Sequence, residues 1–144
     1  MARTDHTARR YRKVGPSLPD ATSPAQAFGT HLLIELTGGT GLDDAARVER
    51  AFRDCVAACG ATLLHLHTHR FEPYGITGVA MLAESHITAH TWPEIGYGAF
   101  DVFMCGTATP WPAVDILRRT FSATDIWVSK IERGPGGAKN LAAE

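Results

Sequence analysis

The chain runs to 144 residues, 44% hydrophobic and 20% charged, with a formal net charge of -1. That length and mixture suit one soluble domain with a modest core, and near-neutrality argues against a surface built for nucleic acid or anionic membrane. No apolar run approaches the roughly 20 residues of a membrane-spanning helix, and the polar, basic start lacks the apolar stretch of a signal peptide.

Residues 1–27 read as a flexible tail: Arg3, Arg9, Arg10, Arg12 and Lys13 cluster, and Pro16, Pro19 and Pro24 then interrupt any regular element. The domain is expected over 28–133. Apolar residues from His31 to Leu36 read as a strand closed by the turn Thr37-Gly38-Gly39. From Leu42 to Cys59, Ala45, Val48, Phe52, Cys55 and Cys59 recur at helical spacing; Thr40 with Asp43 fits the start and Gly60 the stop. Strands are expected over 61–71, 76–83, 86–92 (ended by Pro93) and 97–105. A second helix starts at Thr109, with Pro110 and Pro112 in its first turn and a stripe of Trp111, Val114, Leu117 and Phe121. A last strand covers Ile126 to Ile131, and 134–144 reads as a flexible end. The order β-α-β-β-β-β-α-β, with short turns between consecutive strands, implies an α+β two-layer sandwich: an antiparallel sheet with two helices on one face.

The chemistry gathers in one run, Ala83-Glu84-Ser85-His86-Ile87-Thr88-Ala89-His90-Thr91-Trp92-Pro93-Glu94, preceded by Pro73-Tyr74-Gly75-Ile76-Thr77-Gly78 and followed by Cys105-Gly106. Extended backbone puts His86, Thr88, His90 and Trp92 on one face. Taken singly, each residue has an ordinary reading. Ser85 suits a turn, His86 a hydrogen-bonded strand position, Cys105 a buried strand, Phe71 and Trp92 a core, and Glu94 a solvated turn. Cys55 and Cys59 read as small core residues, and the odd total of three cysteines suits free thiols in a reducing, cytoplasmic setting. His65, His67 and His69 alternate as zinc-binding strand residues do, but no third-strand carboxylate or cysteine at ligand spacing joins them, so no metal is assigned. No glycine-rich phosphate loop is present.

Together these segments resemble the prokaryotic S-adenosylmethionine decarboxylases, from Gly29 to Arg133 and most densely from Arg70 to Gly106. Proteins of that family cut their own chain at a Glu-Ser bond. The resemblance implies that the Ser85 hydroxyl attacks the Glu84 carbonyl and turns the amide into an ester. Loss of the Ser85 α-proton then expels Glu84 as a carboxylate, and loss of ammonia leaves a pyruvoyl group at the new N-terminus. That carbonyl forms a Schiff base with a substrate amine and accepts electrons as carbon dioxide leaves. By the same resemblance His90 is the acid/base of processing, and Thr77 assists where the family usually has serine. Cys105 protonates the substrate carbon, a task suited to a thiol. Phe71 and Trp92 hold adenine, and Glu94 accepts hydrogen bonds from the ribose hydroxyls. The substrate would be S-adenosylmethionine, the product an aminopropyl donor for spermidine-type polyamine synthesis, and the assembly a homodimer of cleaved protomers. Ile95, Phe100, Met104 and Thr30 depart from the family pattern without touching the Ser-His-Cys set. Two other readings stay open: the same pyruvoyl chemistry on ornithine or arginine, and an uncleaved ligand-binding relative.

Overall fold

The computed structural model describes residues 28–135, so the expected tail 1–27 and nearly all of the 134–144 end lie outside the described residues. Six strands and two helices follow in the order β1 (Gly29–Thr37), α1 (Ala45–Ala58), β2 (Leu63–Arg70), β3 (Ile76–Leu82), β4 (Ser85–Trp92), β5 (Tyr97–Cys105), α2 (Pro112–Thr120) and β6 (Asp125–Arg133). A single 3-10 turn, Pro93–Ile95, joins β4 to β5. Every strand pair is antiparallel, and the spatial order is β2-β3-β4-β5-β1-β6. The first strand is thus inserted between β5 and β6. This is the expected α+β sandwich.

Period-two alternation assigns each strand residue to one of two faces. Leu32, Ile34 and Leu36 of β1, Ile76, Ala80 and Leu82 of β3, Ile87 and Ala89 of β4, and Phe100, Val102 and Met104 of β5 are buried. They meet Val48, Phe52, Cys55 and Val56 of α1 and Ala113 and Leu117 of α2. Each large apolar side chain so removed from water stabilises the fold by about 1.5–3 kcal/mol, enough to hold both helices to this face. Phe100 and Phe121, with ring centroids 5.8 Å apart, tie β5 to the end of α2. Burial pushes the Cys55 thiol well up, and its sulfur donates to the Ala113 carbonyl at 3.9 Å, so it is a helix-packing group rather than a reactive one.

Both helices start later than expected. Asp44, not Thr40 or Asp43, caps α1, accepting from the Arg47 amide at 3.1 Å. Asp43 is drawn away to Arg70 and Gly75 instead. Gly60, with a φ of 70°, ends the helix as expected. Helix α2 begins at Pro112, with proline in the first-turn position it suits, and the Thr109 amide before it donates to the Cys59 carbonyl at 3.0 Å. Trp111 precedes it, 49% exposed, and Ala113 takes its place on the apolar stripe.

The opposite face of the sheet carries no helix. It presents His31, Leu33 and Glu35 of β1, His65, His67 and His69 of β2, Thr77, Val79 and Met81 of β3, and His86, Thr88, His90 and Trp92 of β4. From β5 and β6 come Ala99, Asp101, Phe103, Trp127 and Ile131. No helix among the described residues is long and apolar enough to cross a membrane.

Candidate active site

At one end of this open face lies the hairpin between β3 and β4. Leu82 pairs with Ser85, so Ala83 and Glu84 alone form the loop. Tight hairpins favour positive φ in the loop itself. Here neither loop residue has it: among the described residues, the non-glycine positive φ values fall on Ser85 and Ser122. Glu84 is fixed at both of its oxygen-bearing groups. Its carboxylate accepts from the Thr62 amide at 2.9 Å and the Thr62 hydroxyl at 3.1 Å. Donation from that amide, with the hydroxyl, holds the Glu84 carboxyl below its ordinary value. Its carbonyl oxygen accepts from the Cys105 thiol at 2.7 Å and the Cys105 amide at 3.3 Å. On the other side of the same peptide bond, the Ser85 hydroxyl lies 3.2 Å from His86 Nδ1.

At the other end of β4 the side chains form a pocket. Phe71, Tyr74, Gly75, His90, Thr91, Trp92 and Glu94 line a cavity of about 300 Å³, the lower end of ligand-site volumes. Thr91 is buried in its floor, accepting from the Ile76 amide at 2.9 Å and donating to the Leu42 carbonyl at 2.8 Å. His90 pairs across the ladder with Thr77, and His90 Nδ1 shares a 2.6 Å hydrogen bond with the Thr77 hydroxyl. Its ring lies between two aromatics, 5.9 Å from Phe71 and 4.4 Å from Trp92 by centroid. Trp92 in turn stacks on Tyr97 at 5.0 Å, and the Tyr97 hydroxyl donates to Glu35. Burial and that partner push the Tyr97 phenol up to about 12, so it stays a donor at neutral pH.

The pocket wall is set by a clamp. Asp43 accepts from Arg70 Nη2 at 2.6 Å and from the Gly75 amide at 2.8 Å, and Arg70 also reaches Glu72 at 3.1 Å and the Pro73 carbonyl at 3.2 Å. Gly75 adopts a φ of 106°, and a Cβ there would meet the Thr91 carbonyl oxygen at 3.1 Å.

The expected site residues therefore fall into two groups. Glu84, Ser85 and Cys105 converge at the hairpin. Thr77, His90, Phe71, Trp92 and Glu94 converge at the pocket. Five residues of extended chain separate Ser85 from His90, roughly 16 Å at about 3.3 Å per residue, so one protomer does not bring them together. Sequence reasoning missed Tyr74, whose only signal was its place in Pro73-Tyr74-Gly75, and the Asp43–Arg70 clamp, which left none. It also missed the packing of His86 beside His31 and Asp101. His65, His67 and His69 do share the open face of edge strand β2, but among the described residues no three His, Cys, Asp or Glu side chains gather as a metal would require.

Residues 30–134 match the family model described as S-adenosylmethionine decarboxylase. The chain belongs to that family. It is similar to the "S-adenosylmethionine decarboxylase proenzyme" of Methanococcus maripaludis, 46% identical over 110 residues, covering 74% of this chain and 90% of the relative. The protein of the same name from Thermomicrobium roseum is 45% identical over 111 residues, covering 76% of this chain and 96% of the relative. The fold resembles the crystal structure of the adenosylmethionine decarboxylase from Aquifex aeolicus, with a TM-score of 0.70 at 33% identity, over 76% of this chain and 93% of that one. Both groups of site residues lie inside the segment matched by the family.

Proposed function

We propose that this chain is a proenzyme that cleaves itself between Glu84 and Ser85 and then decarboxylates S-adenosylmethionine, supplying an aminopropyl donor for polyamine synthesis. The observation that carries the proposal is the Glu84 carbonyl oxygen, which takes two hydrogen bonds from Cys105 while the neighbouring Ser85 hydroxyl sits beside an imidazole. Attack by Ser85 on that carbonyl would place negative charge on the oxygen the thiol and amide already face. Preorganised donors at a developing oxyanion are a large catalytic term. Serine without such activation is a weak nucleophile.

The residues present fit a pyruvoyl group derived from Ser85: it would arise at the N-terminus of β4, next to the Cys105 thiol. A pyruvoyl carbonyl takes up a substrate amine and accepts the electron pair left by carbon dioxide. Around it the chain's own side chains hold the substrate. Phe71 and Trp92 offer flat faces to adenine and electron-rich surfaces to the sulfonium. Glu94 accepts from the ribose hydroxyls, and the Cys105 thiol supplies the proton that replaces the carboxyl group. Retention of all three nucleoside contacts favours S-adenosylmethionine over ornithine or arginine.

The gap between the two residue groups argues for a homodimer. Two copies packed open face to open face, about a two-fold axis that sets their β4 strands antiparallel, would bring the hairpin of one against the pocket of the other. The exposed Val79, Met81 and Trp127 on that face suit burial in such a contact. Then Ser85 and Cys105 come from one protomer, and Thr77, His90, Phe71, Trp92 and Glu94 from its partner. The three cysteines are all free, which suits a cytoplasmic enzyme.

Intact mass spectrometry with a carbon dioxide release assay tests the proposal. Two fragments split at Glu84-Ser85, the second lighter by one ammonia than a serine-started peptide, together with release from S-adenosylmethionine, are expected. A chain that remains whole, or one that releases carbon dioxide from ornithine and not from S-adenosylmethionine, would refute it.

A further inference from the structure

Self-cleavage needs two different protons removed from Ser85: the hydroxyl proton before attack, and the α-proton before Glu84 leaves. His90, at the far end of its own strand, can serve the second from the partner protomer. The first has a nearer acceptor. Among the described residues the only side chain hydrogen-bonded to the Ser85 hydroxyl is His86, at 3.2 Å.

We propose that His86 is the base of the first step, taking the Ser85 hydroxyl proton on Nδ1 and passing it to the departing amide nitrogen. This rests on the Glu84-Ser85 cleavage proposed above and adds a catalytic residue to it. The step balances without any co-reactant. The Ser85 Oγ–Glu84 carbon bond forms, the Glu84 carbon–Ser85 nitrogen bond breaks, and the proton moves from Oγ to Nδ1 to nitrogen. The product is an ester of unchanged mass.

The surroundings of His86 are those of a held base rather than of a loose strand residue. Its ring packs edge-on against one side of a ring cluster, with Phe103 5.7 Å away at 70° and His31 6.3 Å away at 80°. His31 is fixed in turn by a 3.0 Å bond from Nε2 to Asp101, and Asp101 also accepts from Thr88 at 3.3 Å. Burial first, then His31 and Arg133, hold His86 below the ordinary imidazole value, although Asp101 pulls the other way. The ring is therefore neutral near pH 7, and with its proton on Nε2 it has Nδ1 free to accept. The Asp101 carboxylate is close enough to offset the charge that His86 would gain for the moment of transfer.

The test follows the full chain from cell-free synthesis, as wild type and as His86→Gln, by intact mass, with hydroxylamine added to samples of each. Hydroxylamine cuts an ester and leaves a peptide bond. The expected result is a folded His86→Gln precursor, cooperative in a thermal melt, that splits about 100-fold or more slowly and resists hydroxylamine because no ester has formed. A precursor that hydroxylamine cuts between residues 84 and 85 would place His86 after ester formation and overturn the assignment. So would splitting at the wild-type rate. Should glutamine disturb the fold, His86→Asn keeps an amide near the Nδ1 position without a titrating ring, and the same outcomes decide. Failure of the wild type itself to split would remove the cleavage reading instead.

Discussion

One oxygen atom carries the proposal that the Glu-Ser pair is a reacting bond rather than an ordinary turn. The Glu84 carbonyl could have pointed to water, as loop carbonyls do. Instead it faces the Cys105 amide and thiol, while Thr62 pins the Glu84 carboxylate from behind. On the proposed function Cys105 has two tasks, one in cleavage and one in protonating the product. They are separable. Cys105→Ala deletes the thiol donor and leaves the amide, so self-cleavage should slow about 100-fold, the usual cost of one oxyanion donor. Cys105→Ser keeps a donor of shorter reach and should cleave faster than the alanine variant. Its hydroxyl is a far weaker acid, so decarboxylation per cleaved site should fall further than cleavage does. Rates of splitting by mass and of carbon dioxide release, compared across the two variants, check this. Equal cleavage in alanine and wild type would mean that the thiol contact is idle. Thr77 raises a smaller question. The sequence resemblance puts serine at this position, yet the Thr77 hydroxyl meets His90 at 2.6 Å, so the extra methyl leaves room for the contact.

Among the elements, loop 71–75 shows what a helix start can do for a pocket. Asp43 sits where the sequence suggested a helix start, yet it spends both carboxylate oxygens on Arg70 and Gly75. Both residues border the loop that carries Phe71 and Tyr74. Asp43→Ala should free that loop, raising KM for S-adenosylmethionine roughly 10-fold through lost positioning while self-cleavage and kcat change little. Steady-state kinetics on fully cleaved protein measures it, and a fall in kcat with unchanged KM would contradict the positioning role. The same clamp explains what could be read in advance. Strand limits were legible to within two residues because alternation is a local signal. The helix starts were not, and at α1 the reason is that Asp43 is captured by Arg70 and Gly75, partners distant in sequence. Nor was the placement of β1 between β5 and β6, which no local pattern encodes. In the site, proximity along the chain misled in both directions. Ser85 and His90 are near neighbours in sequence, but an extended strand holds them roughly 16 Å apart. Glu84 and Cys105, 21 positions apart, touch. His86 was passed over because its neighbours His31 and Asp101 arrive from other strands.

For the molecule as a whole, the decisive fact is that helices cover one face of the sheet while the other carries Thr77, His90 and Trp92, with the Glu84-Ser85 hairpin at its end. A bare antiparallel face can stand in water when it is polar. This one mixes histidines and carboxylates with Val79, Met81, Trp92 and Trp127, the last four at least 36% exposed, and it holds the hairpin and the pocket at opposite ends of β4. A two-fold pairing answers both problems at once, since the operation that buries the apolar residues also sets each hairpin against a pocket. The consequence is strict. On the proposed mechanism a chain with Ser85→Ala cannot split, and a chain with His90→Ala lacks the group for α-proton removal. If the site is shared, a mixed dimer of the two holds one site with both lesions and one with neither. Co-expressed at equal levels with free exchange, the two chains should let up to about half of the His90→Ala copies split at Glu84-Ser85, whereas each variant alone should stay whole. Distinct tags and intact mass would follow each chain separately. If both variants stay whole in the mixture although mixed dimers are recovered, Ser85 and His90 must act within one protomer, and the roughly 16 Å between them would then have to close by a rearrangement of β4 itself.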